Sequence, residues 1–167
     1  ADVIHPGAGG DIIDLTESTS SIDTIHFLGD TNGIDTITGF IVGTDLLNVE
    51  TMAGGNVAAE ASVAANANAG DVATNTFIVF ADASNMTTAA GGATDAITTF
   101  TGDMTNVAAV LAASFTEAVS ENYVVLANDL AGDKAYIYNV TNDATTAAIA
   151  ASDVTHVATI STTSAIT

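Results

Sequence analysis

Asp–x–Ile/Leu–polar occurs five times within the first 48 residues, and this repeat constrains the fold more than any other feature. The copies are Asp2-Val3-Ile4-His5, Asp11-Ile12-Ile13-Asp14, Asp23-Thr24-Ile25-His26, Asp35-Thr36-Ile37-Thr38 and Asp45-Leu46-Leu47-Asn48, with Asp-to-Asp steps of 9, 12, 12 and 10 residues. A short period of this kind means repeated structural units that bury their apolar side by stacking on one another. Pro6-Gly7-Ala8-Gly9-Gly10-Asp11-Ile12-Ile13-Asp14 fits the nonapeptide G-G-x-G-x-D-x-U-x with Pro in the first Gly place, and Gly33-Ile34-Asp35-Thr36-Ile37-Thr38 fits its second half. In such a unit a Gly-rich turn directs carbonyl oxygens inward, the Asp adds a carboxylate, and the apolar residue enters the core. The expected fold is mostly β: a short calcium-binding parallel β-roll followed by a β-rich domain with one or two helices.

Charge supports the reading. Of 167 residues, 20 are acidic and one, Lys134, is basic, for a net charge of −19; 15 of the acids are Asp and five are Glu. Asp is the acid of turns and calcium loops, whereas Glu favours helix surfaces. The charge argues against nucleic acid or anionic lipid as a partner, because both demand basic patches. Apolar residues make up 48% of the chain, so it is expected to fold despite self-repulsion. There is no Cys, which removes disulfides, thiol nucleophiles and Cys-based zinc sites together. No run of about 18 apolar residues is present, so no transmembrane helix and no membrane insertion are expected. The chain begins at Ala1 and its first Asp motif has no preceding Gly turn. A C-terminal piece of a longer chain is therefore expected.

The pattern divides the chain at two places. Residues 1–50 alternate short apolar runs with Gly, Asp, Ser and Asn turns, the signature of short strands. Residues 51–75 are rich in Ala, Gly and Asn and read as a linker or loop, with a weak helix over Ala58 to Ala69 as the alternative. Residues 76–167 read as a β-rich domain. Thr76–Phe80 has strand composition. Ala93–Phe100 is a candidate short helix, and a clearer helix follows near 103–119, with Asp103 as N-cap and Met104, Val107, Leu111, Phe115 and Ala118 on one apolar stripe. Leu111 and Phe115 are expected to pack on the C-terminal strands. Tyr123–Leu126 and Ala135–Val140 read as strands flanking a hairpin-like loop, and Thr155–Ile160 as a third. Tyr136 and Tyr138 share one face, opposite Ile137.

Gly7 to Asp14, together with Asp35-Thr36-Ile37-Thr38-Gly39-Phe40-Ile41-Val42-Gly43-Thr44-Asp45-Leu46-Leu47, resembles the C-terminal part of repeat-in-toxin proteins exported by type I secretion, in particular their surface-layer-like members. The second segment matches the D-x-I-x-x-F-x-x-G-x-D-x-L pattern that follows such repeats, and Asn122 through Ile160 is similar to their end strands. The resemblance implies export of an unfolded chain and folding outside the cell, where calcium is present. It also implies that two nonapeptides complete one turn, so that Asp2 and Asp23 share one edge and Asp11 and Asp35 the other. Candidate calcium ligands are Asp2, Gly7, Gly9, Asp11, Asp23, Asp30, Gly33, Asp35 and Asp45. Each ion would draw six or so oxygens from side chains and turn carbonyls of neighbouring loops, as calcium prefers. The departures are Pro6 in a Gly position and the two steps of 12.

No nucleophile elbow, phosphate loop or metal-hydrolase motif occurs, and Gly7-Ala8-Gly9-Gly10 runs into Asp11 rather than Lys, so no enzyme activity is expected. His5 and His26 occupy equivalent outward slots and read as exposed strand residues without a third zinc ligand; His156 reads as structural. The functional expectation is a calcium-dependent, self-assembling extracellular structural protein at a bacterial cell surface, a surface-layer or filament subunit whose partner is itself. The alternative is a C-terminal secretion and folding cap of a larger adhesin or enzyme. Tyr123, Tyr136 and Tyr138 leave a cell-surface glycan or small ligand as a third class, and core packing accounts for them equally well.

Overall fold

The structure is a computed structural model that describes residues 1–29, 33–49, 52, 59–62, 76–80, 104–114, 121–129, 133–142, 149–164 and 166. It is mostly β. The repeat region gives five short strands, β1 (Val3–Ile4), β2 (Ile12–Asp14), β3 (Thr24–His26), β4 (Asp35–Thr38) and β5 (Leu46–Asn48). Each is one Asp–x–Ile/Leu–polar copy. Alternate copies stack in parallel: β1, β3 and β5 form a three-stranded sheet, with Val3 opposite Thr24 and Thr24 opposite Leu46, while β2 pairs with β4. This register sets Asp2 level with Asp23, and Asp11 level with Asp35.

The second sheet does not end with the repeats. It continues through β10 (Val154–Ser161), β9 (Lys134–Thr141), β8 (Asn122–Asn128), β7 (Thr76–Phe80) and β6 (Ala59–Ser62), in the order β2-β4-β10-β9-β8-β7-β6. β10 pairs with β4 in parallel, placing Ala158 opposite Asp35 and Ile160 opposite Ile37. β8 and β9 form the expected antiparallel hairpin. Asp129 closes it by accepting the backbone N–H groups of Asp133 and Lys134 on Oδ1, an Asp turn of the usual kind. The segment expected as a linker supplies β6, neither helix nor loop over Ala59–Ser62, pairing in parallel with β7. Ala and Glu favour helix over strand by intrinsic propensity, so the pairing with the neighbouring strand decides the conformation of this segment.

The helix α1 spans Met104–Ser114, within the expected 103–119. Asp103, Phe115 and Ala118, like the candidate helix over 93–100, lie outside the described residues. Glu121 lies buried just before β8.

β8 and β9 are buried on both faces, which explains why their sequences read as continuous apolar runs rather than alternating ones. One face carries Tyr123, Val125, Ala127, Tyr136, Tyr138 and Val140, and packs with Val107, Ala108 and Leu111 of α1. The other carries Val124, Leu126, Ala135 and Ile137, and joins Ile13, Leu15, Ile25, Phe27, Ile37 and Phe40 of the repeats. A β-bulge between His156 and Ala158 lets β10 serve both cores, with Val154 on the helix side and Ile160 on the repeat side. Repeats and C-terminal strands thus share one sheet and one core.

Candidate metal centre

Each repeat Asp lies at the entrance to its strand, and the stacking brings these acids into two rows, Asp2-Asp23-Asp45 and Asp11-Asp35. Asp23, Asp35 and Asp45 are buried. They stay satisfied through a bonding pattern that recurs up both rows. The backbone N–H of Asp2 donates to Asp23 Oδ1 (2.7 Å), that of Asp23 to Asp45 Oδ1 (3.1 Å), and that of Asp11 to Asp35 Oδ1 (2.9 Å). In return the Asp2 carbonyl accepts from Thr24 N–H, the Asp23 carbonyl from Leu46 N–H and the Asp11 carbonyl from Thr36 N–H, each at 2.8 Å. Every upper Asp therefore clips the turn beneath it by a charge-assisted hydrogen bond. Asp45 also accepts Ile41 N–H on Oδ2 at 2.8 Å.

This backbone-accepting role was not expected from the sequence, which assigned the same carboxylates to ion binding alone. The signal for it is present: Asp is the residue that accepts local backbone N–H groups at turns and strand entrances.

The turns above these acids are close-packed. Gly33 has φ of 129°, and a Cβ built there would lie 2.3 Å from the Gly9 carbonyl carbon. Only glycine lets the Gly33 turn rest on the Gly9–Gly10 turn. Gly7 and Gly9 are exposed and also have positive φ. Asp11, half-buried beside this stacked pair, has an Oδ2 that is buried without a hydrogen-bond partner. A carboxylate oxygen taken from water and given no donor costs free energy unless a cation faces it. Asp2 is exposed, and Asp30 lies outside the described residues. Among the described residues no group of three or more His, Asp or Glu side chains gathers about one point.

His156 belongs to a different environment. It is buried between Tyr136 and Tyr138, ring centres 5.9 and 5.1 Å away. Its Nε2 lies 3.0 Å from the Ala158 carbonyl, which can only accept, so the neutral ring carries its proton on Nε2. Nδ1 is left buried and without a partner. Burial pushes this imidazole below the ordinary histidine range, with the bond to Ala158 opposing the shift. An unfolded chain takes up a proton near pH 6.5, the folded chain only at lower pH, so the stability tied to His156 is complete above about 6.5 and is lost as pH falls. Calorimetric unfolding between about pH 7 and pH 5 is expected to show uptake of up to about one more proton in the wild type than in His156→Gln. Equal uptake contradicts a folded state in which burial holds His156 neutral.

Tyr123, Tyr136 and Tyr138 are all core residues. Burial pushes the Tyr138 phenol far above its ordinary range, so it remains protonated. No helix among the described residues is long and apolar enough to cross a membrane.

Fold and site together define a mostly β protein in which acid-clipped parallel strands share a sheet with an antiparallel hairpin. No family model, curated protein or solved structure matches the chain.

Proposed function

We propose that the stacked strands of residues 1–50 are a parallel β-roll that binds calcium between its turns, and that the chain is an extracellular, self-assembling structural protein of a bacterial surface. The observation that carries the calcium reading is the buried, partnerless Asp11 Oδ2 beside the stacked Gly9 and Gly33 turns. Asp11, with the carbonyls of Gly7, Gly9 and Gly33, supplies the hard oxygen donors that calcium takes. The ion would supply neutralisation of a carboxylate in a row of like charges and a tie between two turns, coupling binding to folding.

Self-assembly rests on the ends of the sheets. β1 and β5 are the outer strands of the three-stranded sheet, and β2 is an outer strand of the other. Val3, Ile12 and Leu46 on these strands are 65%, 84% and 55% exposed. Edge strands with outward apolar residues invite pairing with another chain. Joining β1 of one subunit to β5 of the next continues the small sheet in the same parallel sense. That contact links unlike surfaces head to tail and propagates.

One observation favours the second reading, a folding cap for a larger chain. β10 covers β4, so the larger sheet is closed on that side while β1 and β2 stay open to further repeats. Light scattering across calcium concentrations separates the two. Assembly predicts polymers that appear with calcium and weaken in Asp2→Ala or on deletion of residues 1–5. A chain that stays monomeric well above micromolar concentration supports the cap.

A further inference from the structure

The outward row beside the acid clips ends in imidazoles. Val3 pairs with Thr24 and Ile4 with Ile25, so the same register sets His5 beside His26 on adjacent parallel strands, with Asn48 next in the row on β5. The two rings lie 5.0 Å apart, centre to centre, tilted by 45°. His5 is exposed and His26 half-buried, so the pair opens to solvent from a fixed sheet rather than from a loop.

We infer that His5 and His26 form a two-histidine site for a borderline transition-metal dication such as zinc. The spacing is what one shared ion requires. Zinc–nitrogen bonds are about 2.0–2.1 Å, which places each ring centre about 3.2 Å from the metal, and a tetrahedral angle then separates the centres by about 5.2 Å. Imidazole suits zinc, copper and nickel, whereas calcium takes oxygen donors, so this site and the acid rows select different ions. Water fills the other positions of the ion. The chain's net charge of −19 raises the local concentration of any dication. Parallel stacking supplies the preorganisation: His26 is held in the β3–β5 ladder and His5 follows directly on the last paired residue of β1, so little ordering accompanies binding.

The test is a zinc titration of the full chain in saturating calcium, which occupies oxygen-rich sites, followed through the imidazole C–H resonances of its three histidines. The His5 and His26 signals are expected to move together with one midpoint, and His156, buried between tyrosines, to stay in place. His5→Gln and His26→Gln, each still folded by its unchanged strand spectrum, are each expected to weaken zinc binding by about tenfold or more. Separate midpoints for the two rings, or unchanged affinity in either variant, overturns the shared site.

Discussion

Transfer from millimolar calcium to excess chelator is expected to lower the melting temperature of the chain by about 5–10 °C. An ion held at a hundredfold its dissociation constant stabilises the native state by about 2.7 kcal/mol, and for a chain of this size about 1 kcal/mol moves the midpoint by 2–4 °C. Two variants assign the effect. Asp11→Ala removes the buried oxygen that has no donor, so it is expected to abolish most of the calcium-dependent shift and cost little in chelator. Asp35→Ala removes the acceptor of the Asp11 N–H bond at 2.9 Å. It leaves a half-buried donor without its acceptor and is expected to cost about 0.5–1.5 kcal/mol in chelator as well as in calcium. Differential scanning calorimetry in both buffers reads all three chains. Superimposable wild-type melts in chelator and calcium exclude an ion at these turns.

Leu111→Ala is expected to cost about 2–5 kcal/mol in denaturant unfolding, the range for a fully buried leucine truncated in a packed core. Leu111 has no exposed surface and lies in one cluster with Val107, Ala108, Tyr123, Tyr138 and Val154. Two of those neighbours are tyrosines on the central hairpin, which have little room to collapse into the gap. Ala109→Ser, at an exposed position of the same helix, is the matched control and is expected to stay within about 0.5 kcal/mol. A Leu111→Ala cost near that of the control contradicts the helix packing.

What could be read beforehand was local or periodic. The Asp–x–Ile/Leu–polar copies announced short strands, while their pairing in alternate rows came from the family resemblance rather than from any single copy. Tyr136 and Tyr138 opposite Ile137 followed from the two-residue period of a strand. The helix face was legible from Val107 and Leu111. What could not be read was long-range. Nothing near Thr155–Ile160 says that this strand lies on Asp35–Thr38, since a parallel pairing leaves no turn signal between its partners. Ala59–Ser62 has no pattern of its own and becomes a strand only because β7 lies beside it. The acids were legible as candidate ion ligands, but their hydrogen bonds to backbone depend on a stacking distance that no single copy encodes.

The pairing of β4 with β10 has a kinetic consequence. Asp35 and Ala158 are about 120 residues apart in the chain yet adjacent in the sheet. Closing a flexible loop of that length costs about 4 kcal/mol of chain entropy before any contact repays it. Strand β4 therefore lacks its β10 neighbour until the chain through Ser161 is available, and completion of this sheet is gated by the arrival of β10. A chain emerging from a ribosome or a pore holds its repeats without that closing partner for as long as β10 is withheld.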